Sequence, residues 1–158
     1  MRYVIRKLYW RAELRFLNEA GDVSYRCREK FLGFASDLEN AAGEKILAIR
    51  NLPLRMRPEF EVLRDKTVVA RITFERDLRV WYRVRIGAET AMSIRPNYWH
   101  TRFDFMNSEG RLAVLNKPMI PFLKPIELTI FDERQEEIAV AATVAVLAGE
   151  SAAASANG

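Results

Sequence analysis

The chain has 158 residues, 49% of them hydrophobic and 29% charged, which is enough apolar material for one domain and too balanced for a disordered or fibrous chain. Lys and Arg number 25 against 21 acidic residues, and the formal net charge of +4 permits an anionic partner without requiring one. The single cysteine, Cys27, excludes an internal disulfide framework.

The opening Met1-Arg2-Tyr3-Val4-Ile5-Arg6-Lys7 lacks the long apolar stretch of a signal peptide. The one strongly apolar uncharged run, 138–148, is about half of the roughly 20 residues that span a bilayer. The expectation is a cytoplasmic, water-soluble domain with no transmembrane segment.

Turn residues recur at Gly21, Gly43, Asp65, Gly87, Gly110 and Asp132, spaced by 22, 22, 22, 23 and 22 residues, the mark of a repeated supersecondary unit. Short alternating runs flank them, as half-buried strands require. Strands are predicted near 3–6, 13–17, 23–27, 35–40, 45–50 and 58–64, then near 67–74, 79–86, 90–95, 101–107, 111–116 and 125–131. Val23, Tyr25 and Cys27 share one parity, as do Val68, Ala70, Ile72 and Phe74, and then Val80, Tyr82, Val84 and Ile86. These are the predicted core positions. Twelve antiparallel strands of this kind must close as a sandwich or a barrel.

The last turn differs. Asp132 with Gln135 has capping-box spacing, and Glu133, Glu136 and Glu137 suit the positive end of a helix dipole. The following run, 138–148, is apolar on every helical face, with Thr143 its one polar side chain and Gly149 placed as a C-terminal cap. Such a helix is buried all round. The expected fold is all-β with one helix: about twelve antiparallel strands in a closed barrel around a central hydrophobic C-terminal helix. The domain is expected over 1–149, with 150–158 as a disordered tail.

With these residues in hand, the chain resembles the LURP-one-related family of the tubby C-terminal-like superfamily. The resemblance lies in Met1-Arg2-Tyr3-Val4-Ile5-Arg6, in Lys30-Phe31-Leu32 before 38–44, and in Leu54-Arg55-Met56-Arg57-Pro58 before Phe60-Glu61-Val62 and Arg64-Asp65. The apolar C-terminal run matches as well. It implies a twelve-stranded barrel around a hydrophobic helix, in agreement with the strand count. Lys66 departs from it, standing where a glycine is usual, and Pro118, Pro121 and Pro125 are unusually dense. Tubby proteins bind phosphoinositides, and that role extends to this chain only by analogy.

No residue set points to catalysis, a metal or a cofactor. His100 is the only histidine and is expected to cap a loop or pack on an aromatic; Cys27 is expected to be an inert buried thiol. Glu59, Glu61 and Glu75 are expected to face solvent. The candidate lipid-binding surface is an outward stripe of Arg71, Arg79, Trp81, Arg83, Arg85 and Arg95, a composition suited to phosphate; the alternative is a solvated barrel face. A second candidate is the loop 117–125, whose Met119, Ile120, Phe122 and Leu123 either contact a membrane or fold over a barrel mouth. Nucleic acid is disfavoured, because most aromatics fall on the core parity.

The functional expectation is a non-enzymatic binding domain that associates peripherally with anionic phospholipid or with a protein partner. The rivals are a structural or assembly protein and a small-ligand barrel. A filled lumen argues against the last.

Overall fold

A computed structural model describes residues 1–8, 11–30, 35–52, 57–75, 81–120 and 124–156, with side chains through 152. The first half of the barrel is β1 (Arg2–Leu8), β2 (Glu13–Leu17), β3 (Val23–Lys30), β4 (Ala35–Asn40), β5 (Lys45–Asn51) and β6 (Glu59–Arg64). The second half is β7 (Thr67–Phe74), β8 (Tyr82–Ile86), β9 (Glu89–Pro96), β10 (Arg102–Met106), β11 (Arg111–Asn116) and β12 (Ile126–Ile130). Each strand pairs antiparallel with its chain neighbours, and β1 pairs with β12 through Arg2–Thr129 and Tyr3–Leu128, so the barrel closes without an edge. A 3-10 turn (Glu133–Gln135) then leads into α1 (Glu136–Ala156).

The periodic turns all lie at one end of the barrel. Gly21, Gly43, Gly87 and Gly110 have φ of +86°, +83°, +61° and +139°, the region that glycine enters without a Cβ penalty. The third hairpin instead uses Asp65 and Lys66 at φ +48° and +68°. This two-residue turn has both central residues left-handed, at a cost of roughly 1–2 kcal/mol per non-glycine residue.

Just beyond each turn, one residue of the second strand is skipped in the pairing. Phe16–Tyr25 is followed by Leu17–Val23, Leu38–Leu47 by Glu39–Lys45, and Val62–Ala70 by Leu63–Val68. The same step occurs between Val84–Met92 and Arg85–Thr90, and between Phe105–Ala113 and Met106–Arg111. Ser24, Ile46, Val69, Ala91 and Leu112 are therefore bulges at equivalent places, and bulges supply the local twist a barrel needs. They also reset parity. Val69 packs on the core while Val68 is exposed, so the predicted inward run through Val68 is corrected. Ile86, expected inside, lies beyond the bulge and is likewise exposed.

Ala139 to Val146 are all buried, on every face of α1. Their small side chains make a thin rod, and large inward residues such as Phe16, Leu38, Ile72, Met92, Phe103 and Phe105 close on it from the wall. Thr143 spends its hydroxyl on the Ala139 carbonyl at 2.8 Å, so the rod carries no unsatisfied side chain there.

Asp132 caps the 3-10 turn, accepting from the Arg134 amide at 3.1 Å, one residue earlier than the capping-box reading placed it. The predicted stop at Gly149 is also corrected, because α1 runs on to Ala156 and the backbone of 150–156 is helical. Gly149 serves a close approach instead: a Cβ there would lie 2.4 Å from the Tyr82 hydroxyl and 3.3 Å from its ring carbon.

Gly149→Ala should destabilise the domain by about 1–3 kcal/mol through overpacking, although alanine is intrinsically the better helix former by about 1 kcal/mol. Adding Tyr82→Phe should restore most of the loss in urea unfolding. Stabilisation by Gly149→Ala alone would mean that Tyr82 does not press on the helix.

Candidate functional site

The outer wall places the arginine stripe among carboxylates. Arg71 lies opposite Arg85 in the β7–β8 pairing, and Thr73 opposite Arg83. Glu61, which is buried rather than solvent-facing, takes Arg50 and, at 3.3 Å, Arg71. Glu75 takes Arg83 at 2.9 Å and Arg85 at 3.5 Å, and Glu59 lies 4.0 Å from Arg71. The three glutamates expected in solvent are thus the counter-charges of the stripe. Arg95 is exposed on β9, whereas Arg79 lies outside the described residues. Trp81 does not project with the arginines. It is half-buried, with Phe74 at 5.5 Å and His100 at 4.0 Å between ring centroids.

The same pattern continues around the wall. Glu13, buried, accepts from Arg15 at 2.5 Å and faces Arg28 at 3.5 Å; Asp37 sits between Lys30 and Lys45; Asp104 sits between Arg102 and Arg111. Hydrogen bonding from Arg15 holds the Glu13 carboxyl below its ordinary value. Burial pushes Asp37 up, but Lys30 and Lys45 together outweigh it and hold that carboxyl low as well. The carboxylates of this wall are thus neutralised by arginines and lysines of the same and neighbouring strands.

The two ends of the barrel differ in charge. At the turn end, Glu19, Asp22, Glu44 and Glu109 are exposed in the hairpins, and Glu133, Glu136 and Glu137 surround the start of α1. Glu136 accepts from both Tyr3 and, at 2.8 Å, Tyr25, and Arg64 reaches Glu137. Burial first, then Glu136, pushes both phenols far above their ordinary range.

The opposite end gathers the longer connections. Its described residues include the cations Arg11, Arg57, Lys117 and Lys124, against Glu29, Glu75 and Glu150, of which Glu75 and Glu150 have basic partners. His100 faces Glu150 at 3.3 Å and packs on Trp81 and Phe103, the aromatic role expected of it.

At this end the 97–101 loop is fixed by its own hydrogen bonds. Asn97 Oδ1 accepts from Thr101 N at 2.8 Å and Arg102 N at 3.1 Å, and the Asn97 amide donates to the Arg102 carbonyl at 2.8 Å. The loop holds Tyr98 and Trp99 in solvent, 87% and 66% exposed, with their rings 5.0 Å apart. Met119 and Ile120, close in sequence to Lys117, are 71% and 53% exposed. Phe122 and Leu123 lie outside the described residues. Met1, Val68, Ile86 and Phe131 are exposed at the turn end.

Cys27 is buried, and burial pushes its thiol up to about 12, as expected of an inert core cysteine. Among the described residues no group of three or more His, Cys, Asp or Glu is placed to hold a metal ion, and no helix is long and apolar enough to cross a membrane.

No protein-family model matches the chain, and no curated protein matches it. Among solved structures it is similar to the X-ray structure of a protein from Arabidopsis thaliana, a LURP-one-related protein, with a TM-score of 0.65 and 12% identity over 94% of this chain and 89% of that one. At this identity the likeness is one of fold alone.

Because Glu13 and Asp37 titrate lower in the folded chain than the ordinary 4.5 and 3.8, their contribution to stability is complete above those values. It is lost as pH falls through the lower folded values. The melting temperature should therefore hold from neutral pH down to about 5 and fall below about 4.5, and Glu13→Gln should flatten part of that fall. A melting temperature that rises on acidification would contradict these pairings.

Proposed function

We propose that this chain is a non-enzymatic binding domain that associates peripherally with anionic membrane surfaces through the end of the barrel carrying the longer connections. The observation that carries the reading is the segregation of charge between the two ends, with an exposed Tyr98–Trp99 pair and exposed Met119 and Ile120 at the basic one. Trp and Tyr favour the headgroup boundary, where an apolar ring and a polar edge are both accommodated. Each Lys or Arg near an anionic surface adds about 1 kcal/mol, so Arg11, Arg57, Lys117 and Lys124 support weak, reversible attachment. The turn end has apolar residues too, but its carboxylates would be repelled.

The arginine stripe of the wall is the weaker candidate, because Glu59, Glu61 and Glu75 already neutralise Arg71, Arg83 and Arg85. The non-enzymatic part of the reading is supported by a lumen filled with helix and by the packing role of the lone histidine.

Vesicle flotation tests this. The protein should float with phosphatidylserine vesicles at low salt, not with neutral ones, and binding should decline as ionic strength passes about 0.1 M. Tyr98→Ser combined with Trp99→Ser should weaken flotation about tenfold, a loss of about 1.4 kcal/mol. Arg83→Gln with Arg85→Gln should leave it unchanged. The reverse pattern would move the site to the wall, and no flotation of the wild type would favour a protein partner.

A further inference from the structure

A second set of arginines, on the first three strands, is not fully answered by the protein itself. Arg6 on β1 pairs with Arg15 on β2, and Arg15 pairs with Arg26 on β3. Their chain neighbours Ile5, Phe16 and Cys27 are core residues, so the arginines share the outer face. Neighbouring strands lie about 4.8 Å apart, which sets the row across roughly 10 Å. Like charges directly opposite one another are destabilising. Two carboxylates moderate the repulsion: Glu13 takes Arg15 at 2.5 Å and Arg28 at 3.5 Å, and Glu39 takes Arg28 at 3.6 Å. Arg26 stands opposite Glu39 and feels the charge of Glu13, yet it makes no ion pair or hydrogen bond with any described residue. Its Nε is the one buried side-chain polar atom without a partner among the described residues. Arg6 is exposed and likewise has no ion-pair partner among them. An unmet buried donor costs stability, so Arg26 calls for an acceptor from outside the chain.

We propose that this row docks an acidic polypeptide segment of a partner protein, with side-chain carboxylates seated on the guanidinium groups of Arg6 and Arg26. The inference goes beyond the membrane reading and does not depend on it. Carboxylates suit these groups, because the planar guanidinium fork takes both oxygens at once. Acidic side chains at alternate positions of an extended segment stand about 7 Å apart, inside the span of the row. The sign pattern selects the kind of partner. Across β1 to β5 the paired positions run Arg6, Arg15, Arg26, Glu39 and Lys45, so the complement is acidic along the arginines and neutral or basic opposite Glu39. A polypeptide varies its charge residue by residue, whereas a nucleic-acid backbone or an anionic bilayer is negative throughout and is repelled at Glu39. Among the described residues no exposed large hydrophobic side chain lies on β1 to β4, so the row offers no aromatic platform for bases. Attachment is through side chains alone, since the closed barrel has no free edge for a partner strand.

The test titrates the whole chain with hexaglutamate in solution, without vesicles, and reads the arginine Nε–H signals by nuclear magnetic resonance. The signals of Arg6 and Arg26 should move, and added salt should weaken the binding. Arg26→Met should weaken it about tenfold, as expected for a hydrogen bond between charged groups, while the melting temperature holds or rises because an unmet donor is gone. Arg6→Gln, at an exposed position, should weaken binding several-fold with unchanged melting. Lys117→Gln combined with Lys124→Gln, at the basic end, should leave it intact. No shifts at low salt overturn the proposal, and so does binding that survives both Arg26→Met and Arg6→Gln. Binding lost in the double lysine variant instead belongs to the basic end and overturns the row. If Arg26→Met melts far below the wild type, Arg6→Gln decides: weakened binding supports the row and unchanged binding overturns it. A thymidylate oligonucleotide of matched charge that moves the same signals more strongly than hexaglutamate overturns the polypeptide as occupant.

Discussion

The buried run of α1 governs the rest of the molecule. A closed barrel of twelve strands encloses more space than its own side chains fill, and an apolar helix needs every face covered. Each condition answers the other. Because Ala139 to Val146 are slender, the wall can turn Phe16, Phe103 and Phe105 inward without overpacking. Because the fit is close at the far end, residue 149 must be glycine beneath Tyr82. The entry is fixed by Glu136 between Tyr3 and Tyr25, one from each side of β2.

The difference between the two ends follows from the same arrangement. A helix that starts at the turn end favours carboxylates there, since its first amides carry a partial positive charge. The tight hairpins add Asp22 and Asp65, residues that turn geometry accepts readily. The opposite end needs neither. Its longer connections carry lysines, arginines and exposed aromatics instead, and a barrel with one negative and one positive mouth approaches an anionic surface in one orientation.

Much of this was legible in the sequence because it is local. The 22-residue recurrence of Gly21, Gly43, Asp65, Gly87 and Gly110 marked the hairpins, and the all-apolar 138–148 run marked a helix buried on all sides. What the sequence concealed depends on register. The bulges at Ile46, Val69 and Ala91 have no residue signature, so Val68 and Ile86 were assigned to the wrong face. The arginines of β7 and β8 read as a free basic stripe because Glu61 on β6 and Glu75 beyond β7 meet them only through cross-strand pairing. Gly149 looked like a stop because the phenol that requires it sits 67 positions earlier in the chain. At the basic end Met119 and Ile120 stood out in the sequence, whereas Tyr98 and Trp99 did not, because the 97–101 loop meets Lys117 only once the barrel closes.

The orientation of the barrel on a bilayer is the most direct measure of this account. The buried Cys27 thiol leaves engineered surface cysteines to be labelled selectively, so nitroxides can be placed through Tyr98→Cys at the basic end and through Glu109→Cys at the turn end. Power-saturation electron paramagnetic resonance on phosphatidylserine vesicles then reports the depth of each label. The label at position 98 should gain oxygen accessibility and lose exposure to an aqueous nickel chelate, while the label at 109 stays fully aqueous. Burial of the label at 109 with position 98 left in water would contradict it.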